Sequence, residues 1–231
     1  MQIKKQGVLL LMLLMVDAFL ANNLLTIWKQ ETRELRAVDL PLAEAIHPKQ
    51  VALTFDDGPH GEFTPLLLDG LKERGVKATF FLMGKNIEGN EEIVKRMQQE
   101  GHLIGSHSYQ HLKMTKEKEE DALAEISKNS RLIASITGQY PTYLRPPYGD
   151  WNEHLENEVP MTTVFWSVDS LDWKYQNIEK TVQQILKDTE EGDIILMHDI
   201  FETSVEAALE VIDRLEEQGY TFVTVDEMLI E

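Results

Sequence analysis

From Gln50 to the C-terminus, short apolar runs alternate with longer stretches in which apolar residues recur every three or four positions. The short runs read as buried strands and the 3.6-residue recurrence reads as helices packed on them. Seven strands emerge: Val51–Thr54, Ala78–Leu82, His102–Gly105, Tyr143–Leu144, Thr162–Trp166, Asp193–Met197 and Thr221–Val223. Five helices lie between them. Thr64-Pro65 reads as a cap and first turn, with Leu66, Leu67, Leu71 and Val76 on the buried side. Asn90 caps a helix carrying Ile93, Val94 and Met97, which Gly101 stops. Thr115 caps a long helix over Lys116–Thr137, ended by Gly138, with Leu123, Ile126, Leu132, Ile133 and Ile136 as its stripe. Ile178–Thr189 and Ser204–Gln218 complete the set. Strands alternating with helices predict a parallel α/β sheet, closed as a (β/α) barrel of about seven strands, with an open doubly wound sheet as the alternative.

The first 49 residues differ from this pattern. Lys4 and Lys5 precede an apolar run, Gly7–Val16, interrupted by Asp17 and continued more weakly to Trp28. A basic start followed by a short apolar run has the form of an export signal. One reading is a signal cleaved after Ala18. The other, slightly favoured, is an uncleaved anchor over residues 1–28, long enough for a bilayer at about 20 residues. Either places the bulk of the chain outside the cytoplasm, tethered or secreted. Residues 29–49 are polar and mixed and read as a stalk, leaving 50–231 as one folded domain.

Composition narrows the chemistry. A formal net charge of −18, from 40 acidic and 22 basic residues, argues against a nucleic-acid partner. Cysteine is absent, so any transition metal must be held by His, Asp or Glu.

The polar residues that follow the strands are the notable ones. Asp56-Asp57-Gly58 follows the first strand, His107 to His111 the third and Arg145 the fourth. Asp172 comes after the strand ending at Trp166, and His198-Asp199 after the one ending at Met197. In a parallel barrel these loops converge on one face. Adjacent carboxylates repel unless a cation or a proton intervenes. His107 and His111, with one carboxylate of the Asp pair, form a two-His, one-carboxylate set suited to Zn²⁺, or to Fe²⁺, Co²⁺ or Mn²⁺. The other carboxylate is then free to act as general base and His198 as general acid. Arg145 could orient the base, and Asp172 could orient His198 and favour its protonated form. Each feature also has a plainer reading. Asp-Gly is a common turn, Arg145-Pro-Pro-Tyr a rigid one, and Tyr148 and Trp173 could be core aromatics. His47, His60, His102 and His154 read as ordinary histidines, and the run Lys116–Asp121 as a solvated helix face.

Together these segments resemble the five ordered motifs of the polysaccharide deacetylase family, carbohydrate esterase family 4, or NodB-homology domain. They are Thr54-Phe55-Asp56-Asp57-Gly58, His107-Ser108-Tyr109-Gln110-His111, Arg145-Pro146-Pro147-Tyr148-Gly149, Asp169-Ser170-Leu171-Asp172-Trp173 and Ile195-Leu196-Met197-His198-Asp199. The resemblance spans about Gln50–Ile230. It implies a distorted (β/α) barrel, with Asp57, His107 and His111 binding a divalent metal, usually zinc (Co²⁺ or Mn²⁺ being possible). It also assigns what the residues alone leave open: Asp56 as base, held by Arg145, and His198 as acid, oriented by Asp172. The Tyr148 backbone N–H would help to stabilise the oxyanion, and Trp173 and Leu196 would line the acetyl pocket. The implied reaction is removal of N-acetyl groups from glucosamine residues of a cell-envelope polysaccharide. The motif wording is most like the bacterial peptidoglycan N-acetylglucosamine deacetylases. Chitin oligomers, exopolysaccharide and acetylated xylan remain alternative substrates, and a non-catalytic polysaccharide-binding protein a rival of another class. Oligomeric state is not legible.

Overall fold

The computed structural model describes residues Lys49–Leu229. The expected anchor or signal over 1–28, the stalk up to residue 48, His47 and the last two residues lie outside the described residues. Lys49, expected to end the stalk, instead opens the first strand. Among the described residues no helix is long and apolar enough to cross a membrane.

Eight strands form one sheet: β1 (Lys49–Asp56), β2 (Thr79–Leu82), β3 (Leu103–Ser106), β4 (Tyr143–Leu144), β5 (Thr162–Thr163), β6 (Val168–Asp169), β7 (Ile194–His198) and β8 (Tyr220–Val223). Every pairing is parallel. The order is β5-β4-β3-β2-β1-β7-β6, with β8 beside the first half of β1. This order requires curvature. Laid flat, seven strands at about 4.8 Å spacing would put β5 about 29 Å from β6. Yet Thr163 and Val168 are joined by four residues, which reach at most about 18 Å when extended. The sheet therefore curls into a half-barrel whose two edges are joined by residues 164–167, as the barrel expectation required.

Five longer helices cover the outside: α1 (Phe63–Arg74), α2 (Glu91–Gln99), α3 (Glu119–Thr137), α4 (Ile178–Asp188) and α5 (Glu202–Glu217). The period of two along each strand divides its side chains between two environments. Val51, Leu53 and Phe55 of β1, with Ile195 and Met197 of β7, face the helices in the main core. Ala52 belongs to a smaller cluster with Phe81, Val164 and Val225, and the polar Thr54 and Asp56 share its parity along the strand. That alternation is what carries Asp56 to the inner face at the carboxyl end of β1.

Several local expectations are corrected. Thr64 does not cap α1. Its hydroxyl accepts from the His60 backbone N–H and donates to Asp199, while the His60 ring nitrogen accepts from the N–H groups of Glu62 and Phe63. Leu66 is half exposed, and Leu68 takes its place in the core. Thr115 bonds to Asp150 instead of capping α3, which starts later, at Glu119. The strand expected to reach Trp166 ends at Thr163, because the following carbonyls are claimed by Arg145, and Val168–Asp169 pairs with β7 as an unexpected eighth strand. Gly138 ends α3 in the left-handed conformation, as expected.

Candidate active site

The side chains singled out in the sequence gather at the carboxyl ends of the strands, in three groups. Asp56 is the last residue of β1, and Asp57 turns away from it with φ 72°, a region that Asp tolerates better than most residues. His107 directly follows β3, and His111 sits at φ 61° in the loop beyond. Asp57 Oδ1 lies 3.5 Å from His107 Nε2 and 3.3 Å from His111 Nε2. One ligand atom from each of the three residues falls within a 4.8 Å cluster.

This cluster fits a cation. Asp57 Oδ1 is buried and has no hydrogen-bond donor, a costly state for a carboxylate oxygen. His107 Nδ1 lies 2.6 Å from the Arg145 carbonyl. A carbonyl can only accept, so Nδ1 carries the proton and Nε2 keeps its lone pair for a ligand, as in many metal sites. Burial pushes the His107 pKa down to about 3, so its ring is neutral. A tetrahedral ion with bonds of about 2.0–2.1 Å separates its ligand atoms by about 3.3–3.4 Å, close to the spacings seen here.

The second group is built around Arg145, which is fully buried. Its Nη1 donates to Asp56 Oδ1 at 2.8 Å and to Thr54 Oγ1 at 2.7 Å. Its Nε and Nη2 reach the carbonyls of Val164 and Phe165, both at 3.2 Å, and the guanidinium lies 4.3 Å from the centre of the Phe81 ring. Burial pushes the Asp56 pKa up, and the Arg145 charge and hydrogen bond oppose it.

The third group joins Asp172 to His198. Asp172 Oδ1 accepts from His198 Nδ1 at 2.8 Å and from the Trp173 N–H at 2.7 Å, while Oδ2 accepts from the His198 N–H at 2.8 Å. Burial disfavours the charged His198 ring, but the bond and charge of Asp172, with the charges of Asp56 and Asp57, outweigh it and carry its pKa up to about 9. The same partnership lowers the Asp172 pKa despite burial. His198 and Asp56 are register partners across β7 and β1, so acid and base candidates stand side by side.

The remaining candidates frame these groups. Tyr148, at φ 62°, places its ring edge-on 4.5 Å from that of His111 and is largely exposed. Leu196 is nearly buried and is the register partner of Thr54 and Asp169. Trp173 is half exposed, so it is not a core aromatic. His102 is buried in the core, its Nδ1 accepting from the Ala78 N–H while its Nε2 has no partner among the described residues, and His154 is an exposed partner of Glu119.

Sequence reasoning overlooked the supporting layer. Thr54, a polar residue inside an apolar strand, was a visible signal. Asp199 stands in the fifth motif with no role assigned to it, yet it is fully buried, and burial pushes its pKa up to about 7. Its carboxylate packs on Gly58 so closely that a Cβ there would lie 2.3 Å from Oδ1.

The chain is also similar to known proteins. The family model for polysaccharide deacetylase matches residues 43–164. The peptidoglycan-N-acetylglucosamine deacetylase PgdA of Listeria monocytogenes is 42% identical over 180 residues, covering 78% of this chain and 39% of its own length. The peptidoglycan-N-acetylmuramic acid deacetylase PdaC of Bacillus subtilis is 38% identical over 202 residues, covering 87% and 43%. The solved structure of PdaC superposes with a TM-score of 0.77 at 40% identity, over 79% of this chain and 90% of that one. The chain thus spans about two fifths of the length of these curated relatives.

Proposed function

Because this chain belongs to the polysaccharide deacetylase family, we propose that it hydrolyses N-acetyl groups on amino sugars of peptidoglycan, with a divalent metal, most simply zinc, held by Asp57, His107 and His111. The observation that carries this reading is the juxtaposition of that three-residue set with two preorganised pairs, Asp56–Arg145 and Asp172–His198.

When bound, the ion supplies polarisation of the acetyl carbonyl and a more acidic water. Asp56, aimed by Arg145, takes a proton from the attacking water. Oxygen adds to the carbonyl carbon, and the backbone N–H of Tyr148 offers a donor to the developing oxyanion. His198 enters protonated, since its raised pKa keeps the imidazolium at neutral pH. It gives that proton to the amide nitrogen, the C–N bond breaks, and acetate and a free amine leave. Asp172 holds the ring and offsets its charge. Leu196 and Trp173 flank the position of the acetyl methyl. The names of PgdA and PdaC support peptidoglycan as the polymer. N-acetylglucosamine is the sugar proposed, and chitin oligomers, exopolysaccharide and acetylated xylan are the alternatives. The basic and then apolar start of the sequence supports action outside the cytoplasm, at the membrane if that segment is retained.

The test is acetate release by the full chain from purified peptidoglycan and from chitin oligomers, after metal stripping and again after zinc restoration. Asp57→Ala and His198→Ala serve as controls. Release that needs metal and both side chains is expected. Binding of the polymer without release, by folded and zinc-loaded protein, would replace this reading with that of a polysaccharide-binding protein.

A further inference from the structure

We propose that Glu125, on α3, is a positioning residue that sets the geometry and affinity of the metal set by clamping the loop between His107 and His111. The inference rests on the metal reading of Asp57, His107 and His111.

That loop is held by a bond of its own, Ser108 Oγ accepting from the His111 N–H at 3.1 Å, and by bonds from outside it. Ser108 and His111 both adopt positive φ, 63° and 61°, and non-glycine residues persist there only when their surroundings impose it. Glu125 is one source of the constraint. Its Oε2 accepts from the backbone N–H of Gln110 at 2.7 Å and its Oε1 from the Gln110 side chain at 2.9 Å. Gln110 immediately precedes His111. One helical turn further along α3, the Asn129 amide donates to Ser106 Oγ at 2.9 Å and to the Leu82 carbonyl at 2.8 Å. Ser106 immediately precedes His107. Two side chains on one helix face thus hold the residue before each histidine ligand.

The cost of the arrangement points the same way. Glu125 is only 9% exposed, on the helix face that carries Ala122, Ile126 and Ile133. A carboxylate so placed needs strong compensation. Among the described residues its bonds go to two donors of Gln110 in the ligand loop and to no cation. The opposite side of the loop is fixed as well: the N–H groups of Gly84 and Lys85 donate to the carbonyls of Ser108 and Tyr109 at 3.0 and 2.9 Å. Close approach there requires glycine, because a Cβ at Gly84 would lie 2.3 Å from the Tyr109 ring and 2.7 Å from Asn129 Oδ1. From outside, the loop is held between the turn after β2 and α3, and Glu125 holds the residue next to His111.

The experiment measures metal rather than turnover. Full-length wild type, Glu125→Ala, Glu125→Gln and Leu132→Ala are stripped of metal. Zinc affinity is then measured by competition with a chromophoric chelator, and the Co²⁺-loaded proteins are compared by visible absorption. Glu125→Ala should lose about 10- to 100-fold in zinc affinity, the range for residues that orient metal ligands, and should show altered Co²⁺ bands. Glu125→Gln keeps one acceptor oxygen and should fall between; it decides the matter if the alanine variant does not fold. Leu132→Ala perturbs the same helix away from the loop and should bind zinc as wild type does. Glu125 variants that bind zinc with wild-type affinity and spectrum, losing only thermal stability, would overturn the proposal. A wild-type chain that takes up no zinc would overturn the metal reading itself and this inference with it, an outcome visible before any variant is compared.

Discussion

Asp172→Asn isolates the group that keeps His198 protonated. The substitution removes a charge and turns one of the two oxygens facing His198 into a donor. One of those oxygens now accepts from the ring Nδ1 and the other from the backbone N–H, each at 2.8 Å. The His198 pKa stands at about 9 against an ordinary 6.5. The difference of about 2.5 units corresponds to roughly 3 kcal/mol in favour of the imidazolium. That figure is net: burial pulls the other way, while the charges of Asp56 and Asp57 add to that of Asp172, so with Asp172 neutralised the pKa should fall well below 9. At pH 8 about nine-tenths of the wild-type ring is protonated, and each unit by which the pKa falls cuts the ratio of charged to neutral ring about tenfold. Ring titration by NMR in the metal-free chain reads this directly, and the alkaline limb of kcat/KM for acetate release should move down with it. The raised pKa also stabilises the fold. Its contribution is complete below about pH 6.5 and is lost as pH rises through about 9, so the wild type should lose roughly 3 kcal/mol of it across that window and the variant less. Denaturant midpoints, compared with His198→Asn, measure the loss. A variant in which His198 still titrates above pH 8 would show that Asp172 does not hold the proton.

Arg145→Met leaves a buried Asp56 without its counter-charge and should cost about 3–5 kcal/mol in urea denaturation; it should also move the acid limb of activity to higher pH, because burial already raises the Asp56 pKa and Arg145 opposes it. Gly58→Ala places a Cβ against Asp199 and should destabilise by about 1–3 kcal/mol. Asp199→Ala in the same chain should recover part of that loss, and strict additivity in the double-mutant cycle would refute the steric account. Zinc at about 100 times its Kd should add about 2.7 kcal/mol of stability, seen as a higher melting temperature in the wild type but not in Asp57→Ala.

The strand ends were legible because each combines a short apolar run with a polar residue that has no reason to follow it unless it has work to do. Asp56, His107, Arg145 and His198 were found in that way, and the structure gathers them at one end of the sheet. What could not be read depends on direction in space. Asp56 and Asp57 are chemically identical, and only the positive φ at Asp57 separates the carboxylate that faces Arg145 from the one that faces the histidines. Thr64 and Thr115 carry cap chemistry, but tertiary partners, Asp199 and Asp150, outbid the helix ends. Glu125 and Asn129 escaped because the stripe of α3 was sought among apolar residues, whereas this helix buries polar groups to serve a loop. The strand Val168–Asp169 is too short to show any period.

Arg145 carries a consequence for how the protein fails. It follows β4, yet its guanidinium reaches Thr54 and Asp56 on β1, three places away in the sheet, and it also grips the two carbonyls that open the link between the sheet's edges. The same cation is thus both rivet and counter-ion. Loosening the link at residues 164–167 frees the rivet, and Asp56 loses its charge partner while the helices and most of the strands are still in place. Inactivation should therefore run ahead of unfolding: as denaturant or heat rises, acetate release should vanish while far-ultraviolet circular dichroism is still native. In such a molecule, catalysis is the most sensitive gauge of whether the barrel wall is intact.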